Sequence, residues 1–223
     1  MEPRPVVAFD LLETVLDLAP LRDRFSSAGL PAELVHPWFL RVQRDSMALV
    51  LAGGSPEFRR VARQALRTES GRAVPDEQAD GLLDAFRTLP AHPDAEPALR
   101  RLTDAGFAVA GLTVGEAAST REALDRAGLA PFVDRIVTAR QVGSWKPAPA
   151  VYHAAAEAME TTPERMAVVA VHAWDCHGAT RAGCPTGWCS RLEGEFGEVF
   201  APPDVTGGDL VRVADGLVDL LVA

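Results

Sequence analysis

The sequence predicts an α/β protein: a doubly wound parallel sheet core with an inserted helical cap domain. Three observations predict it. Short apolar runs without polar interruption recur along the chain, as in parallel strands covered on both faces. Helical stretches alternate with them, the pattern of strand-helix-strand crossovers. Between the first run and the second, a long block of purely helical periodicity breaks the alternation.

The first run is PVVAFD (5–10), β-rich and ending on Asp10. The next 78 residues, 15–92, hold the helical block: LAPLRDRFSSAG, ELVHPWFLRVQRDSMALVLAG, SPEFRRVARQALRTES and DEQADGLLDAFRTL, separated by turns at Gly29-Leu30-Pro31, at Gly53 to Pro56 and around Pro75. Residues 15–92 are therefore expected to form a cap domain over the strand ends, and residues 1–14 with 93–223 the core. Strands are expected at FAVAGLT (107–113), RIVTA (135–139), MAVVAV (166–171) and TGWCS (186–190). Helices are expected near 94–105, 116–127, 148–159 and 175–183, with a last one in DLVRVADGLVDLLV. The segment LEGEFGEVFAPPDVTGG (192–208) reads as loop. In sheets of this kind the ligand site lies at the carboxyl ends of the strands.

Composition bounds the partners. With 48% hydrophobic residues, the 223-residue chain can bury a substantial core. The net charge of −9 is spread without long runs of like charge, which argues against nucleic acid or an anionic membrane surface as partner; a small anionic substrate would be held by local cations. No apolar stretch approaches the roughly 20 residues that cross a bilayer, and no basic segment followed by an apolar one opens the chain. The expected compartment is the cytoplasm. Cys176, Cys184 and Cys189, an odd number without C-x-x-C, fit free thiols in a reducing environment, used for packing.

Of the 22 basic residues only Lys146 is lysine; there is one tyrosine, Tyr152, and no asparagine. A lysine kept amid such arginine bias suits a place where a bulky planar guanidinium cannot substitute, such as a narrow site beside a carboxylate.

Asp10, followed by Thr14, is a candidate nucleophile; a turn aspartate bound to its own backbone is the alternative. Other strands end on chemistry too. FAVAGLT ends on Thr113, MAVVAV leads into HAWD and Asp175, and Lys146 lies in the loop GSWKPAPAVY. One crevice could gather a nucleophile, a hydroxyl, a cation and a second acid. Asp175 could equally cap the helix that follows it. His172 reads as a base, a ligand-facing residue or a structural histidine, His177 as a solvated helix residue, and Trp174 and Trp38 as pocket wall or core.

With FDLLETVLD, LTVG, WKPAPAVY and HAWDCHGATRAGCPTGWCSR in that order, nearly the whole chain resembles the haloacid dehalogenase superfamily of hydrolases, within it the type II L-2-haloacid dehalogenase branch. The resemblance implies a Rossmann-like core, no required cofactor or metal, and a homodimer. It implies that Asp10 attacks the carbon bearing the halogen, forming an ester that water hydrolyses. Lys146 would then keep Asp10 ionised, Thr14 and Thr113 orient the acid and bind the substrate carboxylate, Tyr152 support them, and Asp175 position or deprotonate water. Arg41, after Trp38-Phe39-Leu40, would reach down to halide or carboxylate, with a solvated helix face as the alternative. Leu12, Val114, His172 and Trp174 would line the substrate pocket.

The chain also departs from that branch. Leu12 stands where an aromatic is common, Glu13 where glycine is, Val114 where asparagine is, and Ala170 and His172 where serine and asparagine are. Superfamily phosphatases carry a second aspartate at the position of Leu12 to protonate the leaving group; halide, a stable anion, needs no such acid. Two alternatives remain at this point. One is a magnesium-dependent phosphatase, with the ion held by Asp10, the Leu12 carbonyl and Asp175. The other is a non-catalytic binding protein. Glu13 is expected to point away from Asp10 if the strand direction persists.

Overall fold

In the computed structural model, which describes residues 4–222, six strands form one parallel sheet in the order β3-β2-β1-β4-β5-β6. They are β1 (Val6–Asp10), β2 (Ala108–Thr113), β3 (Arg135–Thr138), β4 (Met166–Ala170), β5 (Thr186–Cys189) and β6 (Val205–Gly207). The expected α/β core is thus observed. The connections run outward in one direction from β1 through β2 to β3, and in the other from β4 through β5 to β6. The order reverses between β1 and β4, where a crevice opens at the carboxyl ends.

Four helices follow β1 and precede the core crossover: α1 (Leu21–Ser27), α2 (Val35–Leu51), α3 (Phe58–Glu69) and α4 (Asp76–Asp84). Trp38 is fully buried among them, edge-on to Phe86 at 6.0 Å and donating its indole N–H to the Ala62 carbonyl at 2.9 Å. The insertion meets the core where Phe58, Leu83 and Phe86 surround a cavity of about 20 Å³ shared with Leu12 and Thr120.

The core helices are α5 (Ala95–Asp104), α6 (Ala117–Arg126), α7 (Ala139–Val142), α8 (Pro149–Ala158), α9 (Ala173–Arg181) and α10 (Leu210–Val222). Alternation along β1 divides the two faces of the sheet. Val7 and Phe9 pack with Leu99, Leu102, Val213 and Leu217 of α5 and α10; Val6 and Ala8 pack with Val151, Tyr152 and Ala155 of α8. Asp10 shares the parity of Val6 and Ala8, so it is directed to the α8 side.

Two expectations of the sequence give way. The 192–208 segment contains β6, whose residues pair in parallel with Gly187, Trp188 and Cys189. Ala139 begins the short α7 rather than ending a strand, because Thr138 caps that helix and exchanges bonds with Gln141. The three cysteines are buried and free. No helix among the described residues is long and apolar enough to cross a membrane.

Candidate active site

The strand direction ends at Asp10. The chain then turns, with the Leu16 carbonyl accepting from Glu13 N at 2.9 Å and the Leu11 carbonyl from Val15 N at 3.0 Å. The turn brings Thr14 back onto the acid it follows. Its hydroxyl donates to Asp10 Oδ2 at 2.6 Å while accepting from Val171 N, at the end of β4, at 3.1 Å. Thr14 thus ties the two strands that flank the crevice.

Lys146 reaches the same point from the β3–α8 loop. Its Nζ lies 2.8 Å from Asp10 Oδ1 and 2.7 Å from Asp175 Oδ2, and it is 1% exposed. Tyr152, one turn into α8, donates its hydroxyl to Asp175 Oδ1 at 2.6 Å. Asp175 sits in the first turn of α9, fully buried. Gly178, one turn further, permits this approach: a Cβ there would stand 2.4 Å from Pro147 Cβ and 2.8 Å from the Tyr152 hydroxyl. Sequence reasoning gave Gly178 no role.

The sequence expected Glu13 to point away from Asp10; the structure places its carboxylate against His172. Glu13 has φ +70°, the left-handed region that favours glycine and costs another residue about 1–2 kcal/mol. That conformation turns its side chain toward His172, whose Nε2–H donates to Glu13 Oε2 at 2.8 Å. His172 Nδ1 lies 3.3 Å from Asp10 Oδ2, off the line of a hydrogen bond, with no hydrogen-bond partner among the described residues. Trp174 packs beside the ring, centroids 5.0 Å apart.

Other expected residues lie nearby or elsewhere. Thr113, one position past the Leu112 that pairs with Asp10, accepts from Gly115 N at 3.0 Å. Leu12 faces the small apolar cavity, and Val114 an outer groove with Phe58, Thr138 and Gln141. The structure does not bring Arg41 into this cluster: its ion-pair partner is Glu69 at the end of α3. His177 is not simply solvated, since its Nδ1 accepts from Ala201 N at 2.9 Å. Arg191, absent from the sequence reading, donates to the Thr14 carbonyl and to both Asp94 oxygens, each at 2.7 or 2.8 Å. Nothing local marks it, because its partners lie far away in the sequence.

The charges are unequal in character. Burial would raise Asp10, but Lys146 first and His172 next hold its carboxyl well below the usual range. Asp175 is raised, because burial and the Asp10 charge outweigh the stabilisation it gains from Lys146 and Tyr152. Burial opposes charge on Lys146 too, yet the two acids raise it. For His172 burial is again opposed, by Asp10 and Glu13, and the ring is pushed up to about 10. Such a site holds one carboxylate firmly ionised and a second that takes a proton more readily, the pairing that attack on carbon followed by activation of water requires.

Asp10, His172 and Asp175 offer ligand atoms within 4.8 Å of one another. The set does not fit a hard dication. Each of the four carboxylate oxygens of Asp10 and Asp175 already accepts from a donor, and Lys146 with the doubly protonated His172 supplies two positive charges beside them.

Comparison with known proteins agrees with this architecture. The profile of the family described as haloacid dehalogenase-like hydrolase matches residues 5–183. (S)-2-haloacid dehalogenase 1 of Pseudomonas sp. strain CBS-3 is 30% identical over 207 residues, 91% of each chain. A solved L-2-haloacid dehalogenase superposes with a TM-score of 0.88 at 26% identity, covering 99% of this chain and all of its own. The L-2-haloacid dehalogenase of Xanthobacter autotrophicus, solved with chloropropionic acid covalently bound, shares the fold at a TM-score of 0.87 and 20% identity, over 96% of this chain and 98% of its own. A buried acid at the end of the first strand, bridged by lysine to a second acid after the fourth, stands on a chain that matches this family over most of its length: the chain belongs to the haloacid dehalogenase-like hydrolases.

Proposed function

We propose that the chain is a hydrolase that displaces halide from a small 2-halo carboxylic acid through an aspartyl-ester intermediate on Asp10. The observation that carries this reading is Lys146 Nζ between Asp10 and Asp175, 2.8 and 2.7 Å away. An Asp10 oxygen forms a bond to the α-carbon as the carbon-halogen bond breaks, and the halide leaves with the electron pair. Water then attacks the carboxyl carbon of Asp10. Asp175 takes a proton from that water and returns it to the alkoxide oxygen as the ester bond breaks, so a 2-hydroxy acid departs, the second proton of the water is released, and Asp10 is regenerated as a carboxylate.

In this reading Thr14 and Lys146 fix the Asp10 carboxylate, Tyr152 orients Asp175, and Thr113 contributes to substrate binding beside Leu12, Val114, His172 and Trp174. Residues 15–92 serve as the cap, and no metal is required. Leu12 supplies no proton to the leaving group, which halide does not need and an alkoxide would.

The test compares halide release from short 2-halo acids without added metal against phosphate release from an aryl phosphate with magnesium. Halide release alone is expected. Phosphate release alone would overturn the reading, and inertness toward both would favour a non-catalytic binding protein.

A further inference from the structure

At the seam between the insertion and the core lies a cavity of about 240 Å³, lined by Val35 and Phe39 of α2, Arg22, His92, Arg191 and Glu13. Glu13 belongs to both the cavity wall and the active site, because its carboxylate holds His172 and His172 faces Asp10. Its backbone is fixed: Glu13 N donates to the Leu16 carbonyl, and His92 Nε2 lies 3.0 Å from the Glu13 carbonyl.

Both ring nitrogens of His172 face carboxylates, so both carry protons. The Nε2–H is satisfied by Glu13; the Nδ1–H is buried and unpartnered among the described residues, beside Asp10 Oδ2. An unsatisfied buried donor on a cation is costly, and an arriving anion would relieve that cost. The other cation that touches Asp10, Lys146, is already engaged by two acids.

We propose that His172 Nδ1–H anchors the carboxylate of a small monocarboxylic acid, and that Glu13 is the positioning residue that orients the ring for it. The step that follows binding rests on the halide-displacement reading, whereas the binding does not. In-line attack sends the leaving group away from Asp10, on the far side of the attacked carbon, so a donor touching Asp10 is poorly placed for halide. The carboxylate, one bond from that carbon, lies to the side of the attacking oxygen, where Nδ1–H is. Glu13 at φ +70° keeps this arrangement despite its backbone cost. The cavity reaches this arrangement at Glu13, and its wall also carries Arg22, His92 and Arg191, with Asp17 the opposing charge.

Calorimetry with propionate, which has no halogen to lose, and its neutral counterpart propionamide tests the anchor on the full chain. His172→Asn is expected to weaken propionate by about tenfold or more, Glu13→Ala by several-fold, and Glu13→Gln less than Glu13→Ala, since the amide oxygen still accepts from Nε2. Propionamide should bind all four proteins alike. In turnover of 2-chloropropionate the same variants should raise KM more than they lower kcat. Circular dichroism shows that the variants fold. Equal propionate affinity in wild type and His172→Asn overturns the anchor, as does absence of propionate binding. Equal affinity in Glu13→Ala and wild type overturns the role of Glu13. Should the binding pattern appear without halide release, the anchor stands and the dehalogenase reading falls; halide release without the pattern gives the reverse.

Discussion

The ammonium of Lys146 lies 2.8 Å from Oδ1 of Asp10, although 136 positions separate the two residues. Both are buried, and the same ammonium holds Asp175, so one lysine bridges two acids in a buried site. Removing it should cost more than an exposed ion pair would. Lys146→Met is expected to lower stability by about 3–5 kcal/mol in denaturant unfolding and to abolish halide release. Lys146→Arg should not restore activity, because a planar guanidinium does not fit the space of an ammonium that is 1% exposed.

Tyr152→Phe leaves Asp175 Oδ1 without its donor in a fully buried site. A loss of about 1–3 kcal/mol is expected, with turnover falling because the acid becomes still easier to protonate. The acidic limb of the kcat profile should move upward in pH relative to wild type.

Gly178→Ala places a methyl group 2.7 Å from the Pro147 carbonyl oxygen, a backbone atom that does not yield cheaply. A destabilisation of about 1–3 kcal/mol is expected from this overpacking, visible as a lower denaturant midpoint. Turnover should fall with it, since the displaced neighbours are Tyr152 and the residue after Lys146. Gly81, with nothing near its Cβ position, should accept alanine without loss.

His172 gives the pH dependence of stability an alkaline component. Burial disfavours its charge, but Asp10 and Glu13 push it from 6.5 up to about 10. A base raised in the folded state contributes stability that is fully present below its unfolded pKa. The contribution is lost as pH rises through the folded value. Unfolding free energy should therefore decline between about pH 6.5 and about pH 10, by a few kcal/mol, and His172→Asn should flatten that decline. An unchanged pH profile in the variant would count against a charged His172.

Much of this was legible in the sequence for physical reasons. Parallel strands buried on both faces are apolar along their length, and VVAF, which Asp10 ends, and MAVVA carry that pattern. Lys146 stood out because the other basic residues of the chain, histidines aside, are all arginine. What was missed depended on geometry that local sequence does not carry. β6 has three residues between prolines and glycines, and it exists through its pairing with β5. Glu13 was placed by assuming that the strand continued past Asp10, and its contact with His172 depends on the turn that follows instead. Arg41 was read from its neighbours in α2, whereas its partner comes from α3, 28 residues on.

The nucleophile itself can be tested most directly by a single turnover of 2-chloropropionate, with enzyme in excess, in water enriched in heavy oxygen. If Asp10 forms the ester and water attacks its carboxyl carbon, mass spectrometry finds the heavy oxygen in the peptide that carries Asp10, and the released 2-hydroxy acid carries ordinary oxygen. Heavy oxygen in the hydroxy acid and none in Asp10 would contradict the account, because water would then have displaced the halide itself.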